Sequence, residues 1–126
     1  MFPPYFTMTT AFAWLLFALG VGHIGYAFVK FRAPLLAGLS AGVVGQFGTP
    51  EVRRTAFWFT MFGPLLMLAG QVAVHAAAAA DLGLYRLVGF YLLAISVIGV
   101  LAIPKSPFLV GLLISCLILG AGYGVI

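Results

Sequence analysis

Long apolar runs, broken only by clustered charges, constrain this chain more than any other feature. Runs of roughly 20 residues, enough for a helix to cross about 30 Å of hydrocarbon, lie between the groups around Lys30, Arg53, Asp81 and Lys105. Only six basic and two acidic residues occur in 126, and 64% of the chain is apolar. A soluble domain carries charge on about a quarter of its residues, so this surface does not suit water. The pattern predicts an all-α membrane protein, one domain over 1–126, with four transmembrane helices in an up-down-up-down bundle.

The first span is expected over 9–29, with Thr7 or Thr9 as cap and Lys30 and Arg32 as stop. The N-terminal tail has no basic residue and no cleavage site follows the apolar run, so this span reads as retained rather than as a signal peptide. Residues 33–47 are apolar but too few to cross, and they carry Gly38, Gly42 and Gly45. They read as a short interfacial or re-entrant helix between spans one and two. Thr49-Pro50-Glu51 reads as a helix start, with Thr49 as cap. Span two follows over 55–75, with a kink expected at Gly63-Pro64 because Pro64 has no N–H to donate. Ala76 to Ala80 should fray. Asp81 is expected to cap span three, over 83–103, with Tyr85, Arg86 and Tyr91 as interfacial anchors. After the Pro104-Lys105 turn, Ser106 as cap and Pro107 open span four, over 106–125. Gly38/Gly42 and Gly120/Gly124 are small-xxx-small pairs suited to close packing, including packing in a homo-oligomer.

Lys30, Arg32, Arg53, Arg54 and Lys105 fall in loops one and three, against Arg86 alone on the other side. That bias places loops one and three in the cytoplasm and both termini outside. Six scattered cations form no basic stripe, so nucleic acid is not expected as a partner. The lone Cys116 excludes an intramolecular disulfide and reads as a small side chain in an apolar run.

His23 carries the most chemistry. It lies seven residues before Lys30, roughly 10 Å deeper by helical rise, and titratable groups at such depth face a bundle interior or a wet cavity. Gly20, Gly22 and Gly25 around it allow close approach of a helix or a ligand. Thr60, Ser96 and Ser115 are expected at a similar depth, giving a candidate polar layer. His23 then either bonds Ser96 or a carbonyl freed near Thr60, as structural glue, or contacts a polar ligand group and moves a proton. No metal site is expected, because His75 lies at the opposite face and no Asp or Glu reaches His23. No cofactor is expected either. Gln71 and His75, with Trp14, Tyr85 and Tyr91, read as an outer pocket lining or an aromatic belt. Glu51 and Arg54 have the spacing of a helical ion pair. Arg54 and Trp58, one turn apart, read as headgroup contacts or as the mouth of a cytoplasm-facing cavity. No paired carboxylates and no Ser/His/Asp triad can be assembled.

The segments Arg54-Thr55-Ala56-Phe57-Trp58-Phe59 and Ile103-Pro104-Lys105-Ser106-Pro107-Phe108, with Gly22-His23, Gly63 and Gly70, are similar to those of an uncharacterised family of small bacterial four-helix integral membrane proteins. Pro107 stands where that likeness leads one to expect glycine. The resemblance covers nearly the whole chain. It implies a four-span bundle with His23, Arg54, Trp58, Pro104 and Ser106 at marked positions, and it brings no reaction with it.

Three functions are therefore open. The leading one is a bundle that binds a hydrophobic small molecule near His23 and transforms it as a proton-shuttling isomerase or cyclase, with Thr60, Ser96, Ser115, Trp58, Arg54 and Gln71 contacting the ligand. The second is an accessory or structural membrane subunit without catalysis. The third is a small dimeric transporter, disfavoured because no span holds the carboxylate that couples such exporters to protons. Besides the lipid bilayer, the first reading requires no partner but its ligand.

Overall fold

The structure, a computed structural model, describes residues 7–126 and contains five helices and no strands among them. They are α1 (Met8–Lys30), α2 (Arg32–Ser40), α3 (Glu51–Ala78), α4 (Leu82–Ala102) and α5 (Phe108–Gly122). The tail residues 1–6, part of the uncharged N-terminus considered above, lie outside the described residues. α1, α3 and α4 are long and apolar enough to cross a membrane, whereas α5 has 15 residues, about 22 Å of rise.

The four long helices form a ring in which α1 packs on α3, α3 on α4, α4 on α5 and α5 on α1. Two of these seams are tight and antiparallel. On the α1–α3 seam, a Cβ at Gly20 would stand 2.6 Å from the Met67 backbone nitrogen, and one at Gly70 would stand 2.5 Å from that of Phe17. On the α4–α5 seam Gly89 lies against Ile118 and Leu119, Gly111 against the Ser96 hydroxyl, and Gly122 against Tyr85. Side-chain methyls are missing where the backbones meet, so dispersion contact between helices replaces the hydrophobic effect, which drives little association in lipid.

Buried positions recur at three- and four-residue steps: Ala13, Leu16, Gly20, His23 and Ala27 on α1, and Tyr85, Gly89, Leu92, Ser96 and Gly99 on α4. This is the inward stripe of helices packed at shallow angles. Large apolar side chains face outward instead, with Val29 and Leu101 both 78% exposed and Leu65 59%. Small residues inside and large apolar ones outside fit a bilayer environment.

Several local expectations are corrected. Thr7 stands at the start of α1, but its hydroxyl bonds Thr9 Oγ1 at 2.6 Å rather than capping a backbone N–H. The helix start expected at Thr49-Pro50-Glu51 is present, but Pro50 rather than Thr49 takes the N-cap position of α3. The alanine run stays helical to Ala78, and Ala80 at φ 55° makes the turn. Asp81 caps α4 as expected, accepting from Leu84 N–H at 3.1 Å. Pro107, rather than Ser106, takes the N-cap position of α5, while the Ser106 hydroxyl accepts from Phe108 N–H at 3.4 Å. Only the first part of 33–47 is helical, because Gly42 (φ 103°), Val43 (φ 70°) and Gly45 (φ 72°) turn the chain. Gly38/Gly42 is therefore no helical pair, and Gly38 instead receives the Phe47 ring. Gly120/Gly124 is likewise no helical pair, since Gly124 lies beyond α5 at φ 72° and the chain folds Ile126 back onto Gly120. Tyr85 is not an interfacial anchor: it is fully buried and its hydroxyl donates to Thr9 C=O at 2.7 Å, joining the starts of α4 and α1. Arg86 donates to Gly122 C=O at 2.7 Å and lies over the Tyr123 ring, which fixes the end of α5.

Candidate functional site

A cavity of about 690 Å³ opens between the two tight seams, at the end of the ring where α1 finishes and α3 begins. Its size falls within the roughly 300–1,000 Å³ typical of small-molecule sites. His23 and Lys30 enter it from α1, Arg54 and Trp58 from α3, Ser96 from α4, and Lys105 from the α4–α5 turn. Apolar side chains make most of the remaining wall, among them Leu19, Phe62, Leu66, Leu92 and Phe108. A cleft of about 490 Å³ between α1 and α5 shares Leu19, His23 and Lys105 with the cavity and reaches Gly22. A side chain at Gly22 would meet nothing within 4 Å, so this side stays open.

His23 sits on the inward stripe of α1 and is 8% exposed. Its Nε2 bonds Phe59 C=O at 2.8 Å, and the imidazole stacks on the Phe59 ring at 4.2 Å between centroids. A carbonyl oxygen only accepts, so Nε2 carries the hydrogen. The neutral ring then holds its lone pair on Nδ1. Among the described residues no hydrogen bond uses Nδ1 and no buried side-chain nitrogen or oxygen is left without a partner. Nδ1 is therefore not sealed in the protein. The same reasoning applies to Ser96: 1% exposed, free of hydrogen bonds among the described residues, and on the cavity wall. The acceptor for His23 lies one residue before Thr60, whose carbonyl Pro64 cannot serve.

The expected polar layer is only half assembled. Thr60 Oγ1 donates to Ala56 C=O at 2.7 Å and Ser115 Oγ to Leu112 C=O at 2.7 Å, each on its own helix. Neither lines the cavity, and neither does Gln71. Arg54 and Trp58 do, at the mouth. Lys30 and Lys105 are not among the site residues that the sequence predicts. The available signal was the spacing: Lys30 follows His23 by seven residues and so shares its helix face, within about 20° per heptad. Lys30 Nζ lies 5.5–5.9 Å from the ring centres of Tyr26, Phe31 and Phe59. Among the described residues no three His, Cys, Asp or Glu side chains converge as metal ligands.

Such a site can hold a largely apolar molecule, offer it a lone pair and a hydroxyl, and meet it with positive charge at one end. Residues 7–123 match the model of a family of unknown function (DUF6463). No curated protein and no solved structure matches the chain.

Proposed function

The chain belongs to the DUF6463 family of unknown function, and we propose that it binds a hydrophobic small molecule in the membrane, in the cavity beside His23. The observation that carries this reading is a buried histidine, held by Phe59 C=O, whose second nitrogen remains unbonded beside a cavity of about 690 Å³. A histidine serving only as glue needs no such space. The apolar wall would hold the ligand, and Nδ1 would take a proton from it or return one, with Ser96 orienting the polar group. That is the chemistry of an isomerase or cyclase, which needs no metal.

The proposal includes four membrane crossings, with α5 as the fourth. α5 carries no charged residue and packs antiparallel along α4. Lys30, Arg54 and Lys105 share one end, supporting cytoplasmic placement of that end and external termini in a bacterial plasma membrane.

Native mass spectrometry of the gently solubilised protein, beside His23→Ala, tests the reading. A defined non-phospholipid adduct that disappears in a folded His23→Ala variant is expected. An adduct-free wild type would sink it in favour of an accessory subunit.

A further inference from the structure

The cavity is asymmetric in charge along its length. Lys30, Arg54 and Lys105 stand at its mouth, while Leu66 and Leu92 stand at its inner part. Arg54 and Leu66 are twelve residues apart on α3, about 18 Å by helical rise. Glu51 and Asp81 are the only acids in the chain. Neither lines the cavity, and Asp81 caps α4. Of the other three cations, Arg53 donates to Gln46 Oε1 at 3.2 Å, Arg86 is held by Gly122 and Tyr123, and Arg32 does not line the cavity. The side chains of the three at the mouth make no hydrogen bond among the described residues, and Lys30 is propped over three aromatic rings. Three like charges around one opening repel, and an anion placed between them removes that repulsion.

We propose that the ligand is an anionic amphiphile, its phosphate or carboxylate head held by Lys30, Arg54 and Lys105 and its hydrocarbon tail laid inward past Leu19 toward Leu66. This rests on the reading above that the cavity holds a hydrophobic molecule, and it adds the class of that molecule. It also fixes where His23 acts. With the head at Lys30, His23 lies about 10 Å along α1, beside the chain rather than the head. A proton transfer at Nδ1 would then concern a second, polar or unsaturated group part-way along the chain, the group that Ser96 orients, and leave the head unchanged. The cleft between α1 and α5, open at Gly22, gives such a molecule a lateral path from the bilayer.

Hexadecyl phosphate, hexadecanol and inorganic phosphate test this when each is added alone to the full chain in nonionic detergent and its adduct is read by native mass spectrometry. Hexadecyl phosphate is expected to bind roughly tenfold more tightly than hexadecanol, the factor that a charge-assisted hydrogen bond brings. The Arg54→Gln/Lys105→Gln variant should abolish that preference, and Leu19→Trp, which fills the cavity, should remove both long-chain adducts. Ile95→Trp fills the same space if Leu19→Trp fails to fold. Equal binding of hexadecanol and hexadecyl phosphate, both lost in the filled variant, would overturn the charged head and leave the cavity reading intact. Inorganic phosphate that binds through Arg54 and Lys105 whether or not the cavity is filled would mark a free-anion site and overturn the amphiphile. Long-chain adducts that survive filling would overturn the cavity reading itself.

Discussion

The two ends of the helix ring follow the same inward stripe and are filled differently. At the end holding Thr9 and Tyr85, Ala13, Leu16, Ala73, Ile118 and Ala121 close the centre around a buried tyrosine. At the other end the stripe continues as His23, Ser96, Gly99 and Gly111. These residues are small or polar, and the space between the seams is left as a cavity. Along the seams glycine lets the helices touch, at Gly99 against Phe108 and at Gly111 against Ser96. Facing the centre, His23 and Ser96 leave the space between the seams unfilled. The closed end holds the ring together and frees the other end from that task.

Disturbing the closed seam should have the largest effect. A leucine at Gly70 would meet Phe17 backbone, and overpacking typically costs about 1–3 kcal/mol. With backbone rather than a side chain in the way, Gly70→Leu should reach or exceed the upper figure, seen as loss of the folded species on size-exclusion chromatography. His23→Ala comes next. It removes the bond to Phe59 C=O and the ring stack, at a cost of roughly 1–2 kcal/mol, and thermal melting in detergent should show a lowered but cooperative transition. A variant as stable as wild type would remove the hydrogen bond from the account of how the open end is held. Tyr85→Phe deletes only a hydroxyl. Interhelical hydrogen bonds in membranes average about 0.6 kcal/mol, so melting should fall slightly and ligand retention should not change. A change in retention would mean that the two ends are coupled. Gly22→Leu enters open space and should leave melting within about 0.5 kcal/mol, while narrowing the α1–α5 cleft and slowing ligand uptake in a stopped-flow assay.

The helices were legible because apolar runs and charge clusters set their lengths, and Asp81 announced the start of α4. The stretch 33–47 was only half legible: its apolar content suits a helix, but three consecutive-region residues with positive φ end it early. For the site, His23 stood out as the one titratable group deep in a span, and Arg54 and Trp58 by their one-turn spacing. Thr60 and Ser115 were chosen by depth, which gives height along a helix and says nothing of the direction a side chain faces. Direction is hard to read from these sequences because the helices are apolar all round. The inward face is marked by small residues instead, as Gly20, Gly63 and Gly70 show. Lys105 could not be placed at the cavity without knowing that α5 turns back beside α1.

The most direct test compares wild-type protein, extracted from membranes without added ligand, with Leu19→Trp by native mass spectrometry. The expected result is a defined lipophilic adduct on the wild type, absent from a filled variant that melts at least as high. The same adduct at the same occupancy on both proteins would contradict a ligand site between the seams.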